Sequence, residues 1–311
     1  MPRRTRIATA GGASRENPKA SLMNMKKLAT AIAAVTAALT SPAAFAAWTL
    51  NMTPGITAIS RRIYDLHMIM YWWCVVIAIF VFGWMIYSLV MFRKSQGAVA
   101  DKKLVHNTKA EIIWTVLPVL ILIIMAVPAT RTLIETDDAS KSELSIRITG
   151  YQWKWGYQYV DSGVEVFSTL DRASNAARQL GSRIDPNTVP DYLLNVDHPL
   201  VVPAGVKVRL LITAQDVIHA WWVPALAIKK DAIPGYVNEA WFKIDTDKTG
   251  LYRGQCAELC GRDHGFMPIV IDVRSKDDFE AWLKTRQAMQ RPAEPQPTAA
   301  ATAGTQGAPA G

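Results

Sequence analysis

Residues 144–151, Leu-Ser-Ile-Arg-Ile-Thr-Gly-Tyr, mark the point at which the sequence changes from long apolar runs to an alternating pattern. Apolar residues at positions 144, 146 and 148 alternate with polar ones, which is the period-two pattern of a β-strand with one buried face. The pattern recurs at 206–210, and further short strands are predicted at 192–196, 240–245 and 268–273. Several short strands separated by Gly, Pro and Asp predict a β-sandwich or small barrel over residues 141–290.

Three segments of the C-terminal half depart from this pattern. Residues 169–187 are polar and are predicted to form a surface insertion. Ser275 precedes a predicted helix with acidic residues in its first turn and an apolar face that contains Phe279 and Trp282. Residues 291–311 consist mainly of Pro, Ala, Thr, Gln and Gly, and a disordered tail is predicted because this composition cannot bury a core.

Two long apolar runs precede the β domain. Residues 68–92 and 112–130 carry no charged side chain. At about 1.5 Å of helix rise per residue, each run can cross a hydrocarbon layer of ~30 Å. The second run contains Pro118 and Pro128, which membrane helices tolerate. We therefore expect residues 47–140 to form a transmembrane hairpin.

Charge and the N-terminal leader predict the orientation of the hairpin. Five basic residues and one Asp lie between the two runs, so the positive-inside rule predicts a cytoplasmic loop there. Residues 1–46 have the features of a cleaved secretory signal, with Lys26 and Lys27 before a short apolar stretch and the small-residue sequence Ala-Phe-Ala at 44–46. The mature chain is expected to begin near Ala47. Translation is expected to start at Met1, or at Met23 or Met25 within the same leader. Both features place the β domain on the outer side of a cytoplasmic membrane.

The basic composition gives no reason to expect nucleic acid. The formal net charge is +8, but residues 1–27 hold seven Lys or Arg against one Glu. Residues 141–284 have 17 basic and 18 acidic side chains. The excess of positive charge therefore belongs mostly to the leader, and a nucleic-acid-binding surface is not predicted.

Two of the three cysteines lie in residues 254–267, Gly-Gln-Cys-Ala-Glu-Leu-Cys-Gly-Arg-Asp-His-Gly-Phe-Met. On Cys256 and Cys260 alone, a disulfide and a metal site are equally well supported, because the domain would face an oxidising compartment. His264 and Met267 add imidazole and thioether donors to the same segment. The remaining cysteine, Cys74, lies in the first apolar run and is interpreted as a packing residue.

The donor types favour copper. Zinc needs no thioether and hard cations prefer oxygen, whereas thiolate, imidazole and thioether together suit copper. A mononuclear blue-copper site uses one cysteine, so two cysteines indicate two copper ions bridged by two thiolates. Each ion then needs a terminal imidazole. Besides His264 we select His219, in an apolar aromatic run, over His198, which precedes Pro199 at a predicted strand edge.

His219 followed by Trp and Pro, then Cys256-x3-Cys260-x3-His264-x2-Met267, resembles the CuA centre of bacterial-type cytochrome c oxidase subunit II. The resemblance covers about residues 52–283. It implies a two-helix transmembrane hairpin followed by an all-β cupredoxin-like Greek-key barrel in the periplasm of a bacterial inner membrane. It also implies a binuclear CuA centre in which Cys256 and Cys260 bridge the coppers and His219 and His264 are terminal ligands.

The resemblance assigns further roles. Met267 would be the axial sulfur on one copper, and Glu258 would give its backbone carbonyl to the other. The Glu258 carboxylate would bind a magnesium shared with the catalytic subunit, with Asp231 supporting that region. The implied function is transfer of electrons from cytochrome c to the haem of oxidase subunit I, where oxygen is reduced to water with proton translocation. The implied partners are subunit I, the other oxidase subunits, cytochrome c and the lipid bilayer.

Two further positions each have a functional and a structural interpretation. Trp153 resembles the residue at which cytochrome c delivers its electron, but it also fits an aromatic sheet face that includes Tyr151 and Trp155. Glu111 resembles the entrance carboxylate of a proton path in the partner subunit, and it equally fits a charged helix end. Asp161 and Asp216 are candidates for steering a basic cytochrome.

Two other functional classes share part of the pattern. A quinol oxidase subunit II has the same topology without the copper ligands, and the Cys256 and Cys260 pair argues against it. A membrane-tethered copper carrier would be a binding module that exchanges its metal, and it would need neither Glu258 nor the tryptophans near Trp153. Retention of copper under mild chelation distinguishes the oxidase subunit from the carrier.

Overall fold

The computed structural model describes residue 30, residues 51–97, residue 99 and residues 105–290. The predicted signal segment 1–46, apart from residue 30, and the predicted tail 291–311 lie outside these residues. The chain divides into two compact units, Met1–Met52 and Thr53–Gly311. All elements described below belong to the second unit.

Two long helices form the N-terminal hairpin, α1 (Ala58–Met91) and α2 (Thr108–Asp137), and both are apolar enough to cross a membrane. A capping box starts α1, since the Thr57 hydroxyl accepts a hydrogen bond from the Ser60 amide at 2.9 Å and the Ser60 hydroxyl accepts one from the Thr57 amide at 3.0 Å. Helix α1 contains the first predicted apolar run except for Phe92, which is its C-cap, and α2 contains the whole of the second run. Each helix extends beyond its run toward the β domain through residues that include polar and charged side chains.

The β domain contains ten strands in two five-stranded sheets. In chain order these strands are β1 (Leu144–Tyr151), β2 (Lys154–Tyr159), β3 (Glu165–Ser168), β4 (Leu200–Pro203), β5 (Lys207–Ala214), β6 (His219–Val223), β7 (Ile228–Ala232), β8 (Asn238–Lys243), β9 (Gly250–Cys256) and β10 (Pro268–Arg274). The first sheet has the order β3-β2-β1-β5-β8 and the second has the order β4-β10-β9-β6-β7. Neighbouring strands are antiparallel except for the pairs β1 with β5 and β4 with β10. The predicted fold class, an apolar helix hairpin followed by a cupredoxin-like β domain, is confirmed.

Further helical segments lie between the two long helices or connect and cover the strands. They are α3 (Arg172–Ala177), α4 (Lys276–Gln290) and the short 3-10 helices Lys94–Gln96, Pro186–Thr188, Pro224–Leu226 and His264–Phe266. The helix predicted after Ser275 is present as α4, and the Ser275 hydroxyl caps it by accepting a hydrogen bond from the Asp278 amide at 3.2 Å. Phe279 on α4 is buried against the ring of Tyr159.

The core lies between the two sheets. Every second residue of β5 is buried, and Val208, Leu210 and Ile212 have no exposed surface. This regular burial is the outcome that the alternating sequence pattern predicts. The second sheet is buried more continuously, since four successive residues of β10 from Pro268 onward are buried.

Two strand interpretations from sequence need correction. The strand predicted at 192–196 is wrong, because the segment is a turn in which Leu193 adopts a φ of 62° and Val196 forms only an isolated bridge to Leu170. A positive φ interrupts the extended backbone that a strand requires. The aromatic residues from Tyr151 to Tyr159 do not share one strand face, because the chain reverses at 152–153 and Tyr151 pairs with Lys154 across β1 and β2.

Candidate metal centre

Two neighbouring strands of the second sheet bring the distant histidine to the cysteine segment. His219 is the first residue of β6, and Cys256 is the last residue of β9 and lies opposite Trp221. The chain then leaves the sheet, and the Ala257 amide donates a hydrogen bond to the Ala220 carbonyl at 3.0 Å. The register of β6 against β9 therefore decides that His219 and Cys256 meet.

Residues 257–267, which we call the ligand loop, fold back over this end of β6 and β9. The His264 amide donates to the Gly261 carbonyl at 3.2 Å, and the Phe266 amide donates to the Asp263 carbonyl at 2.9 Å. These bonds form the 3-10 turn that carries His264. At the end of the loop, the Met267 carbonyl accepts a hydrogen bond from the Trp155 indole at 3.3 Å.

Sulfur and nitrogen donors of the ligand loop converge with those at the ends of β6 and β9. The Cys256 and Cys260 sulfur atoms are 3.9 Å apart, and the Cys260 sulfur is 3.5 Å from both His264 Nδ1 and Met267 Sδ. One ligand atom each from His219, Cys256 and Cys260 lies within 4.8 Å of the others. The backbone carbonyl of Glu258 is 3.3 Å from the Cys256 sulfur. The structure thus brings together all six residues that the resemblance assigned to copper.

The sulfur separation fits shared metal binding. A disulfide requires sulfur atoms ~2.05 Å apart, so the two cysteines are not bonded in this structure. Two thiolates that bind the same soft ion at ~2.3 Å each can be at most ~4.6 Å apart. The observed 3.9 Å is inside that limit. Both sulfurs can therefore contact a common ion without rearrangement of the backbone.

The two ring nitrogens of His219 differ in their hydrogen bonding. Its side chain is fully buried, its Nε2 lies 2.9 Å from Asp216 Oδ1, and its Nδ1 has no hydrogen-bond partner among the described residues. A buried ring nitrogen without a partner is costly unless something else binds it. A metal ion at Nδ1 would satisfy this atom, while the carboxylate on the opposite nitrogen sets the orientation of the ring.

The two thiols differ in acidity. Burial raises the pKa of Cys256, but the adjacent His219 imidazole and the Ala220 and Glu258 backbone outweigh burial and lower that pKa to about 7. Burial, followed by repulsion from Cys256, raises the pKa of Cys260. In the metal-free site Cys256 therefore loses its proton more readily than Cys260. A cation bound between the two sulfurs would offset the repulsion that opposes loss of the second proton.

Trp153 lies in the turn between β1 and β2 and touches the ligand loop. Its indole Nε1 donates to the Cys260 carbonyl at 3.2 Å, and the Gln152 side-chain amide donates to the same carbonyl at 2.9 Å. The Gln152 backbone amide donates to Asp216 at 2.7 Å. These hydrogen bonds connect the turn to Cys260, a predicted bridging ligand, and to Asp216, which contacts His219.

The remaining predicted site residues lie at the edges. The Glu258 side chain is exposed, and Asp231 is exposed on β7 opposite Ala220. Glu111 lies in the first turn of α2, far along the chain from the metal site, and its carboxylate accepts a hydrogen bond from the Asn107 amide at 3.2 Å. That bond is a helix-capping interaction.

Sequence reasoning missed several contributors. Asp216 was considered only for steering, although its position three residues before His219 is a local signal for a hydrogen-bonded pair. Gly150 leaves room for the His219 ring, since a Cβ atom at residue 150 would be 2.7 Å from His219 Cδ2. Arg178 of the insertion contacts the ligand loop. Neither Gly150 nor Arg178 has a sequence signal, because each meets the site only through the fold.

Comparison with known proteins gives consistent matches. Residues 46–132 match the family description "Cytochrome C oxidase subunit II, transmembrane domain", and residues 144–274 match "Cytochrome C oxidase subunit II, periplasmic domain". The chain is 39% identical to a probable cytochrome c oxidase subunit 2 of Rickettsia bellii over 77% of this chain and 84% of that protein. It is 32% identical to cytochrome c oxidase subunit 2 of Arabidopsis thaliana over 77% of this chain and 90% of that protein. A crystal structure of the periplasmic domain of subunit II of cytochrome oxidase from Bradyrhizobium japonicum is 41% identical, with a TM-score of 0.41, over 49% of this chain and 98% of that one.

Proposed function

Because the chain belongs to the cytochrome c oxidase subunit II family, we propose that its β domain receives electrons from cytochrome c at a binuclear copper centre and passes them to the haem of the catalytic subunit. As a member of this family the chain is a component of a haem-copper oxidase, an oxidoreductase complex, and a membrane protein with a soluble C-terminal domain. Oxygen reduction and proton translocation would take place with the catalytic subunit.

The convergence of donors from the ligand loop, His219 and Cys256 carries this proposal. Cys256 and Cys260 would bridge two copper ions, and His219 and His264 would each bind one ion. Met267 and the Glu258 carbonyl would complete the set as weak donors. When bound, such a copper pair supplies a site that accepts and releases one electron.

The protein side chains would keep that site rigid and dry. Four of the proposed ligands, His219, Cys256, Cys260 and Met267, are at most 5% exposed. Asp216 holds the His219 ring from outside, and hydrogen bonds from the loop amides hold His264. Ligands that cannot move far when the charge changes keep the reorganisation on electron transfer small.

Trp153 is the proposed electron-accepting position. Its ring is partly exposed, and its Nε1–H is hydrogen-bonded to the carbonyl of Cys260. This single hydrogen bond connects the surface ring to the backbone of a proposed copper ligand. The electron would leave from the His264 side toward the haem.

Further roles are proposed for edge residues. The exposed Glu258 carboxylate would bind magnesium together with the catalytic subunit, and Asp231 would support that region. An oxygen ligand suits this hard cation. Glu111 would stand at the entrance of a proton path of the partner, at the cytoplasmic end of α2. The β domain would lie in the periplasm.

Copper loading of the purified full-length chain in detergent tests the proposal. We expect two copper ions per chain, retention of copper under mild chelation, and an EPR spectrum of one unpaired electron shared by both nuclei. Cys256→Ser should abolish the shared-electron spectrum and leave the β-fold intact. A disulfide between Cys256 and Cys260 in the active, assembled protein, without bound metal, would contradict the proposal.

A second measurement addresses Trp153. In the assembled oxidase, Trp153→Phe should slow electron transfer from reduced cytochrome c while copper content and the EPR spectrum stay unchanged. The reason is that the aromatic ring remains but the Nε1–H bond to the Cys260 carbonyl is lost. An unchanged transfer rate would remove Trp153 from the proposed path.

A further inference from the structure

The segment predicted to be a surface insertion reaches the candidate metal site. Residues 169–187 contain α3, whose N-terminus is capped by Asp171. The Ser174 side chain is fully buried, and its hydroxyl accepts a hydrogen bond from the Leu193 amide at 3.1 Å. The insertion is therefore anchored to the domain and can hold another segment in place.

Arg178, at the end of α3, makes contact with the ligand loop. One of its terminal nitrogens lies 3.5 Å from Asp263 Oδ2, and its guanidinium carbon lies 4.3 Å from the centre of the Phe266 ring. Its Nε donates to the Asn175 side chain at 2.8 Å. The guanidinium is thus fixed from its own helix and faces an acidic and an aromatic residue of the loop.

The contact is well shielded from water. The Arg178 and Asp263 side chains are 21% and 15% exposed, so their attraction is screened less than that of a pair on the open surface. Arginine is suited to such a position because its planar group can pair with a carboxylate and lie over an aromatic ring at the same time.

Asp263 and Phe266 flank the proposed ligands. Asp263 precedes His264, and Phe266 precedes Met267, while a hydrogen bond of 2.9 Å joins the Phe266 amide to the Asp263 carbonyl. Fixing these two residues fixes the turn between them. Resting on the proposed copper function, we propose that Arg178 is a positioning residue, which holds His264 and Met267 in ligand geometry before the metal binds.

A matched control is present next to the insertion. Arg253 on β9 pairs with Asp191 at 2.6 Å and with the Asn195 side chain at 3.4 Å. This pair ties the polypeptide that follows the insertion to the sheet but does not touch the ligand loop. Loss of Arg253 should therefore destabilise the domain without altering the loop.

The test compares Arg178→Met, Asp263→Asn, Arg178→Lys and Arg253→Met in the purified full-length chain. Without metal, amide hydrogen exchange over residues 261–267 should be faster in Arg178→Met and Asp263→Asn than in the parent chain, and unchanged in Arg253→Met. Asp263→Asn keeps the shape of the side chain and removes the carboxylate, which also lies 3.5 Å from Arg262. Because Arg262 is 81% exposed, its pair is screened by solvent, and Asp263→Asn reports mainly on the Arg178 pair even if Arg178→Met folds poorly. Arg178→Lys should be intermediate, because it keeps the charge and loses the planar contact with Phe266.

Loaded chains give the second measurement. Copper loss to a chelator should be about tenfold faster in Arg178→Met than in the parent, in line with typical effects of residues that support metal ligands. The copper hyperfine splitting should shift in Arg178→Met and stay unchanged in Arg253→Met. Equal exchange and equal copper loss in these two variants would overturn the proposal.

The two proposals can fail separately. If the parent chain binds no copper pair, the proposed function fails, and the exchange experiment on the metal-free protein still decides whether Arg178 holds the loop. If the parent binds the copper pair and Arg178→Met behaves like the parent in both measurements, only the positioning role fails.

Discussion

Gly150 shows how one residue without a side chain can decide whether a ligand fits. Gly150 lies on β1 in the first sheet, and the imidazole of His219 from the second sheet occupies the space where its Cβ would be. A Cβ atom at residue 150 would lie 2.7, 3.0 and 3.2 Å from three carbon atoms of His219, which leaves no room for the methyl group of alanine. The requirement here is for space and not for an unusual backbone angle.

Gly150→Ala should therefore displace His219 and weaken copper binding. We expect a loss of stability of about 1–3 kcal/mol from overpacking, together with a lower copper content. Gly265→Ala is the control, because Gly265 lies in the ligand loop with no atom within 4 Å of its Cβ position. Chemical denaturation and metal analysis of both variants measure the effect, and an unchanged copper content in Gly150→Ala would contradict it.

At the level of secondary structure elements, one tyrosine joins the two sheets. Tyr159 on β2 donates its hydroxyl hydrogen to the Val201 carbonyl at 2.6 Å and accepts a hydrogen bond from the Val201 amide at 3.1 Å. Val201 lies on β4 of the opposite sheet and is 2% exposed. Buried backbone groups without partners are costly, so this hydroxyl stabilises the packing of β2 against β4.

Tyr159→Phe should destabilise the β domain by about 1–3 kcal/mol, because it leaves a buried amide and a buried carbonyl unpaired. Tyr157→Phe is the matched control on the same strand, since the Tyr157 hydroxyl is buried without a hydrogen-bond partner among the described residues. Its loss should change the free energy of unfolding little. The midpoints of denaturant unfolding should differ clearly between the two variants. Equal midpoints would refute the stabilising role of the hydrogen bonds between Tyr159 and Val201.

The same two tyrosines predict a loss of stability at alkaline pH. Burial raises the pKa of both Tyr157 and Tyr159 above their ordinary value. Their contribution is fully present below the unfolded-state pKa of about 10 and is lost as the pH rises from there, because only the unfolded chain releases these protons readily. Unfolding free energies should fall between pH 9 and 11 (roughly one unit either side of that ordinary value). The fall should be shallower in Tyr157→Phe, and equal slopes in the parent and the variant would contradict the prediction.

On the scale of the whole molecule, the hairpin and the β domain are joined by several direct contacts. Arg61 on α1 pairs with Asp245 at 2.6 Å, and Arg62 pairs with Glu135 on α2. The Trp241 indole on β8 donates to the Glu135 carbonyl at 3.2 Å. Backbone bonds from Ile56 to Ala225 and from Asp245 to Ile56 continue the junction. These contacts fix the distance of the candidate metal site from the apolar helices.

The proposed orientation can be tested by labelling in spheroplasts. Ser95→Cys lies in the 3-10 helix between α1 and α2, and Ser140→Cys lies in the exposed segment between α2 and β1. With Cys74→Ser as background, a membrane-impermeant maleimide should label position 140 directly and position 95 only after lysis. The native Cys256 and Cys260 are buried and should react slowly. Labelling at position 95 before lysis would reverse the predicted topology.

Much of the architecture follows from local pattern. Uncharged runs predict the two helices, because about 20 apolar residues in a helix span a hydrocarbon layer, and alternation predicts strands such as β5, because burial repeats at every second residue of a strand. The donor types in residues 254–267 likewise indicate copper without any coordinates, since metal preference depends on ligand chemistry. The turn at 192–196 escaped this reasoning, because its apolar residues resemble a strand while the backbone takes a positive φ at Leu193.

The surroundings of the site depend on tertiary structure alone. Gly150 meets His219 across two sheets, Arg178 meets Asp263 over 85 residues of chain, and Gln152 meets Cys260 over 108. Contacts between residues so far apart leave no periodic signal in the sequence, since only the register of the strands and the packing of the sheets bring them together. The sequence alone determined which atoms could bind copper, and the folded chain decided which other residues hold those atoms in place.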